Sequence, residues 1–269
     1  MLNKKFIKKY AEQNNIPLTN SRRLLTEYLQ TEILQILYNS QYGKHLTFMG
    51  GTCLRFVYRI ERFSEDLDFD LISNKDFDFQ KLADYFEKEL KRLGFIVDTR
   101  VKETENIFII FIKFSQVMKQ IGVSELDNQK LKIKFKVDSS PLKNIKYKSE
   151  IISAYGKNFN VIVNTLETLF AQKLLALFLR PYQKGRDFYD LIWFLAQKNI
   201  EPNYKILQEK GFKIKNEKEL IEKMEEVISK LDLKQASRDV ERFLFYPEQA
   251  KWILDFNKYL QTFKSYEKI

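Results

Sequence analysis

The chain has 269 residues, of which 44% are hydrophobic, so it can build one large domain or two modest ones around a core. No apolar run approaches the ~18 residues that a membrane span needs, the basic N-terminus lacks the apolar segment of a signal peptide, and the single Cys53 excludes an internal disulfide and favours a reducing cytoplasm. The net charge of +10, from 46 basic and 36 acidic residues, fits either a polyanionic partner or a lysine-rich composition that keeps the protein in solution.

Up to residue 163 the hydrophobic pattern alternates between helical and strand periodicity. It predicts helices over 18–39, 53–60 and 74–93, and strands over 45–49, 66–71, 95–101, 107–115, 130–138 and 159–163. From residue 164 onward it predicts helices over 165–180, 187–197, 217–231 and 238–263. The sequence therefore predicts an α+β protein with two domains, a mixed sheet with flanking helices over 1–163 and a C-terminal helical bundle over 164–269.

Three aspartates alternate along the predicted strand 66–71. Side chains two apart on a strand share a face, so Asp66, Asp68 and Asp70 would repel one another unless a positive charge lay among them. A divalent metal that carries a polyphosphate is the simplest such charge, and Mg²⁺ prefers oxygen ligands. A solvated acidic strand is the alternative, and Asp70 also fits a surface residue at the strand end.

A glycine turn, Gly50-Gly51-Thr52, precedes the aspartates by a short distance. Adjacent glycines before a helix let the backbone approach a phosphate closely, where the N–H groups of the helix favour negative charge. Such a turn on its own is more typical of a tight strand-to-helix connection. The aspartates that follow at short range favour the interpretation as a metal and phosphate site.

Two blocks of residues resemble a known family. The first is Gly50-Gly51-Thr52 followed by Arg62-x-Ser64-x-Asp66-Leu67-Asp68-Phe69, and the second is Lys173 followed by Arg186-Asp187-Phe188-Tyr189-Asp190-Leu191. Their order and joint presence resemble the AbiEii/AbiGii toxin family of nucleotidyltransferases, which includes the MenT-type toxins and belongs to the DNA polymerase β-like superfamily. The resemblance covers over half of the chain.

The resemblance implies transfer of a nucleoside monophosphate (NMP) from a nucleoside triphosphate (NTP), with release of pyrophosphate. It implies that Asp66 and Asp68 hold Mg²⁺, that Lys173 contacts nucleotide phosphates and that Asp187 completes the site. The residues implied to lie near the triphosphate are Gly50, Gly51, Thr52 and Ser64. A lysine ammonium is a compact point charge, which independently suits a phosphate contact.

Two residues have more than one interpretation. Members of the superfamily often carry a third carboxylate on a neighbouring strand, and Asp138 at the end of the strand 130–138 is the candidate, or else a turn residue. Arg186 lies beside Asp187 in sequence, and we expect it to form a buried ion pair that fixes two helices rather than to act on the nucleotide.

A row of lysines leads up to Asp138 on the polar face of its strand, at Lys132, Lys134 and Lys136. Such a row suits an RNA backbone, and a lysine-covered sheet face or a protected edge strand is the alternative. The resemblance makes a tRNA 3′ end the leading acceptor and implies a cognate antitoxin as a partner. A protein or small-molecule acceptor, or a nucleotide- or RNA-binding module without turnover, are the other hypotheses.

Overall fold

The computed structural model describes residues 3–18, 20–72, 77–126, 128–197 and 200–266. The chain divides into two compact units. The first, here called the sheet unit, comprises Met1–Arg59, Phe63–Pro141 and Lys148–Val163; the second, the helical unit, comprises Ile60–Arg62, Leu142–Tyr147 and Asn164–Ile269. The main change of unit falls between Val163 and Asn164, where the sequence analysis also places its boundary.

The sheet unit is built on a seven-stranded mixed sheet, which confirms the predicted α+β fold class. Its strands are β1 (Leu46–Met49), β2 (Leu67–Leu71), β3 (Ile96–Glu103), β4 (Ile107–Ser115), β5 (Leu131–Asp138), β6 (Tyr147–Ala154) and β7 (Lys157–Asn164). The strand order is β3-β4-β5-β2-β1-β7-β6. The central strand β2 is antiparallel to β1 and parallel to β5. Strand β6 was not predicted from the sequence.

A ladder of aromatic rings fixes the three central strands against one another. The ring of Phe69 on β2 stacks on Phe135 of β5 at 4.4 Å and on Phe48 of β1 at 5.3 Å. All three side chains are fully buried, so they turn one face of the sheet into core. Because strand side chains alternate, the aspartates of β2 and the lysines of β5 are displayed on the opposite face.

Five helices accompany the sheet: α1 (Lys4–Gln13), α2 (Ser21–Tyr38), α3 (Gly50–Phe56), α4 (Phe79–Arg92) and α5 (Val117–Gln120). Helix α2 is capped by Asn20, whose side-chain oxygen accepts a hydrogen bond from the Arg23 backbone N–H at 3.2 Å. Helix α3 begins at the glycines themselves rather than after them, because Met49 is the last extended residue. Helix α1 was not predicted, and the predicted start of α4 near residue 74 lies outside the described residues.

The helical unit contains α6 (Leu166–Leu179), α7 (Gly185–Leu195), α8 (Tyr204–Glu209), α9 (Glu217–Ile228), α10 (Leu233–Glu241) and α11 (Phe256–Tyr266). The predicted continuous helix over 238–263 is wrong. A 3₁₀ helix over Pro247–Asp255 separates α10 from α11, because Pro247 has no N–H to continue an α-helical ladder and holds Tyr246 in an extended conformation. Within the described residues, none of the helices has the length and apolar character needed to cross a membrane.

Two short segments from the first part of the chain join the helical unit through backbone hydrogen bonds. Arg62 pairs with Leu244 in an antiparallel bridge, and the Phe245 N–H donates to the Glu61 carbonyl at 3.1 Å. The second segment is held where the Thr165 N–H donates to the Lys146 carbonyl at 2.9 Å. These pairings join segments far apart in sequence, and local periodicity carries no signal for them.

Candidate active site

The structure brings Asp66 and Asp68 together on one face of the sheet. Asp68 is the second residue of β2, and Asp66 immediately precedes the strand. Leu67 and Phe69 point to the opposite face and are fully buried. The carboxylates remain about 29% exposed, so both can reach a ligand from solvent.

Lys136 on the neighbouring strand supplies a positive charge to both carboxylates. Strands β2 and β5 run parallel with Asp68 opposite Lys136. The Lys136 ammonium hydrogen-bonds the Asp66 Oδ2 atom and lies 3.7 Å from the Asp68 Oδ1 atom. Lys136 was predicted to lie in a row of lysines that suits an RNA backbone, and its contact with the two carboxylates was not predicted. The alternation of lysines on β5 indicates that they share one face of the strand, but local pattern does not predict which residues of β2 lie opposite them.

The glycine turn is fitted closely to Asp68. Gly50 has a φ of +75°, a left-handed conformation that disfavours other residues, and a Cβ atom there would lie 3.0 Å from the Asp68 Oδ2 atom. The backbone conformation therefore favours glycine, and the space beside the carboxylate is tight. A side chain at this position would strain the backbone and push the carboxylate by a few tenths of an ångström.

Thr52 and Ser64 take part in hydrogen bonds that anchor the segment leading to the carboxylates. The Thr52 hydroxyl, which is fully buried, donates a hydrogen bond to the Asp66 backbone carbonyl. The Ser64 carbonyl accepts a hydrogen bond from the Gln30 side-chain amide of α2 at 3.3 Å. Gly51 is buried within the same turn. These contacts place the glycine turn, Ser64 and the two carboxylates in one cluster of the sheet unit.

Asp70 of β2 lies opposite Asp138 of β5, two residues beyond the pair formed by Asp68 and Lys136. Asp70 is only 2% exposed, so its interpretation as a surface residue at the strand end is wrong: β2 continues through Leu71 between two neighbouring strands. Asp138 accepts a hydrogen bond from the Ser140 N–H at 2.9 Å, as expected of a turn residue. Across the described ranges, no three acidic, histidine or cysteine side chains form a cluster able to hold a metal. A catalytic role for Asp138 stays a prediction.

The second motif block forms a buried charged cluster in the helical unit. Arg62 and Asp190 make two hydrogen bonds, from Nε to Oδ1 at 2.5 Å and from Nη2 to Oδ2 at 2.6 Å. The Lys173 ammonium lies 2.7 Å from Asp190 Oδ2 and 3.0 Å from Asp187 Oδ1. Arg180 hydrogen-bonds the other oxygen of Asp187. Sequence reasoning selected Lys173 and Asp187 but missed the pairing of Arg62 with Asp190.

The opposite charges in this cluster shift the pKa values of Asp187 and Lys173 so that both groups stay ionised at neutral pH. Burial alone would raise the pKa of Asp187, but Lys173 and Arg180 outweigh burial and hold it below its usual range. Burial would likewise lower the pKa of Lys173, but Asp190 and Asp187 outweigh it and raise the pKa above the ordinary value. Lys173 is therefore a fixed positive charge at neutral pH.

Arg186 packs over an aromatic ring of the helical unit. Its guanidinium carbon lies 4.1 Å from the centroid of the Phe243 ring, a cation–π arrangement. The ion pairs recorded for Asp187 are with Lys173 and Arg180. Lys173 supplies a buried ion pair that connects helices α6 and α7, since Lys173 lies on α6 and both aspartates lie on α7. The ion pair expected of Arg186 stays a prediction.

A divalent cation fits the carboxylates of the sheet unit. Two half-exposed carboxylates offer the oxygen donors that Mg²⁺ and Mn²⁺ prefer, and two are a common protein share of a magnesium site. The Lys136 ammonium forms ion pairs with both carboxylates, which shows that a positive charge can lie beside them. Water and phosphate oxygens would have to complete the coordination.

Comparison with known proteins was consistent with this geometry. The model of the family described as "Nucleotidyl transferase AbiEii toxin, Type IV TA system" matches residues 32–263. JHP933 from Helicobacter pylori shares the fold at 18% identity and a TM-score of 0.57, over 92% of this chain and 94% of its own. An H. pylori structure described as a candidate nucleotidyltransferase shares it at 19% identity and a TM-score of 0.57, over 92% of this chain and 97% of its own.

No curated protein of similar sequence was found. The family match alone spans well over half of the 269 residues and includes both motif blocks. It confirms the resemblance inferred from the sequence, and it favours an enzyme that uses an NTP and a divalent metal over a module without turnover. The chain belongs to the AbiEii family of nucleotidyltransferase toxins.

Proposed function

We propose that the protein transfers an NMP from an NTP to an acceptor hydroxyl in a Mg²⁺-dependent reaction. The observation that carries this proposal is the pair of partly exposed carboxylates, Asp66 and Asp68, which share a sheet face. They lie beside Gly50, where the left-handed backbone and the tight contact with Asp68 favour glycine. When bound, the metal would supply Lewis-acid stabilisation of the charge that develops on the triphosphate.

The reaction breaks one phosphorus–oxygen bond and forms another. The acceptor oxygen attacks the α-phosphorus, the bond from that phosphorus to the bridging oxygen breaks, and pyrophosphate leaves with the bridging oxygen. The acceptor proton must pass to a base, for which Asp138 is our candidate. It lies two residues beyond Lys136 on β5 and therefore displays its side chain on the same face of the strand.

The remaining site residues would bind and orient the triphosphate. The close turn at Gly50 and Gly51 leaves the backbone without side chains to obstruct a phosphate, and the Thr52 hydroxyl holds that turn against the Asp66 backbone. We place Ser64, two residues before Asp66, near the triphosphate as well. We assign Lys173 a contact with nucleotide phosphates and Asp187 the role of fixing it. Support comes from the paired carboxylates that keep the Lys173 ammonium charged and in place.

We propose the 3′ end of a tRNA as the acceptor, with toxicity arising from blocked aminoacylation. The net charge of +10 favours a polyanionic acceptor, and Lys132 and Lys134 lie on the same strand face as Lys136, where they could contact an RNA backbone. We also propose a cognate antitoxin as a partner, on the basis of the toxin family, and a cytoplasmic location, on the basis of the single buried thiol of Cys53.

The proposal is tested with NTPs labelled at the α-phosphate, Mg²⁺ and total tRNA. Label is expected in the RNA with the wild-type protein and is expected to be lost in Asp66→Ala and in Lys173→Ala. Asp98→Ala is the matched control, because Asp98 is an exposed carboxylate of the same sheet that pairs with Lys130 and should leave transfer intact. Label transfer that survives Asp66→Ala would refute the assignment. Label on protein or on a small hydroxyl compound, with tRNA untouched, would refute the tRNA acceptor and retain the chemistry.

A further inference from the structure

Lys136 lies where its charge must affect the binding of any metal to Asp66 and Asp68. The parallel register sets it directly opposite Asp68, and its ammonium hydrogen-bonds Asp66. The contact is made by both carboxylates rather than by one, so the lysine is part of the proposed metal site and not a neighbour of it. Nothing in the two motif blocks assigns this residue a role.

The ammonium lowers the attraction of the site for a bare cation. The two carboxylates alone carry two negative charges, and Lys136 leaves a net charge of minus one. A divalent ion that arrives without nucleotide has to displace a hydrogen-bonded ammonium whose charge it then faces at close range. A metal that arrives with a triphosphate brings an anionic partner to which the ammonium can move.

We propose that Lys136 is the resident counter-ion of the metal site: it opposes the binding of bare divalent ions and transfers to the triphosphate when the metal–NTP complex binds. This inference rests on the proposed function for the identity of the nucleotide. It makes the metal and the nucleotide bind together rather than in sequence.

The side chain has the properties that such a transfer requires. Lysine carries its charge on a flexible four-carbon stem, so the ammonium can move several ångströms without any change in the backbone. The Lys136 side chain is about 29% exposed, so no packed core has to open for that movement. The backbone beneath it is held firmly, because Phe135 and Val137 on either side are buried.

The first arm of the test measures binding of Mn²⁺ to the nucleotide-free protein by electron paramagnetic resonance. Lys136→Met keeps the length of the side chain and removes the charge, and it is expected to tighten Mn²⁺ binding by roughly fivefold or more. Lys130→Met is the matched control, since it removes one positive charge from an exposed lysine that pairs with Asp98 instead, and it should bind Mn²⁺ as the wild type does. Adding Asp66→Asn to Lys136→Met should abolish the gain.

The second arm measures binding of Mn²⁺ together with an NTP analogue that has a methylene bridge between its α- and β-phosphates. Here Lys136→Met is expected to weaken binding by about tenfold, since a phosphate contact is lost. The opposite signs of the two effects are the signature of a transferring counter-ion, because a merely structural lysine would shift both in one direction. Circular dichroism and urea unfolding check that each variant folds.

Unchanged or weaker binding of bare Mn²⁺ by Lys136→Met would overturn the inference. Unchanged or tighter binding of the metal–analogue complex would overturn it as well, by excluding transfer to the triphosphate. Failure of the proposed function would be seen separately, as the absence of label transfer by the wild-type protein, since neither binding arm depends on turnover.

Discussion

Breaking the buried pair of Arg62 and Asp190 should strongly destabilise the helical unit. Arg62 is 1% exposed and Asp190 is fully buried, and two short hydrogen bonds join the guanidinium to the carboxylate. Arg62→Ala would remove both bonds and leave Asp190 with its contact to Lys173. The carboxylate would then be buried with one of its two recorded cationic partners gone.

The size of the effect follows from the loss of a buried partner. Removing one member of a buried ion pair destabilises a protein by about 3–5 kcal/mol. The lower end of that range applies here, because Lys173 still faces the Asp190 carboxylate. Whole domains are stable by only about 5–15 kcal/mol. We therefore expect Arg62→Ala to remove a large fraction of the stability of the helical unit, which corresponds to a fall in Tm of roughly 10 °C.

Urea unfolding followed by circular dichroism and by tryptophan fluorescence measures this loss. The matched control is Arg92→Ala, which deletes an arginine that is 70% exposed and pairs with Glu89 on α4, and it should cost less than about 1 kcal/mol. Arg62→Lys keeps the charge but cannot make the two parallel bonds, so its stability should fall between wild type and Arg62→Ala. Equal stability of Arg62→Ala and Arg92→Ala would refute the reasoning.

Two further predictions concern the glycine turn and acid stability. Gly50→Ala should displace Asp68 and slow nucleotide transfer on the order of tenfold or more. The control Gly94→Ala also has a positive φ but has open space around its Cβ, so it should lower only the free energy of unfolding. Transfer assays and urea unfolding compare the two variants, and equal transfer rates would contradict the tight fit at Gly50. Because Lys173 and Arg180 hold the pKa of Asp187 below its usual ~3.9, this carboxylate contributes stability above about pH 4 that is lost as the pH falls through its folded pKa. Urea unfolding between pH 2 and 7 should therefore show a smaller loss of unfolding free energy on acidification in Asp187→Asn than in the wild type, and an equal loss would contradict the assignment.

Local sequence pattern was sufficient for much of the sheet unit. The alternation of Leu131, Ile133, Phe135 and Val137 with lysines predicted both β5 and the face it buries, and the structure shows these four residues in the core. The spacing of the aspartates likewise predicted that Asp66 and Asp68 share a face. Such patterns are local, so one strand or one turn is enough to display them.

What the pattern missed depends on contacts between distant segments. Lys136 meets Asp66 only because β5 lies parallel beside β2, and 70 residues separate the two. Arg62 meets Asp190 across 128 residues. Neither periodicity nor spacing encodes such a register, and for Asp70 the same pairing of strands replaced an expected surface position by a buried one. The helix over 238–263 failed for a local reason, because the effect of Pro247 was not weighed.

Asp66 and Asp68 are proposed to serve the transfer of an NMP, and the fate of label at two positions of the NTP tests this role. Parallel reactions with α-labelled and γ-labelled NTP are compared for the wild type and Asp68→Asn. In the wild type, α-label is expected in the acceptor and γ-label in pyrophosphate, and Asp68→Asn is expected to lose both. Label from the γ-phosphate in the acceptor, or transfer undiminished in Asp68→Asn, would contradict it.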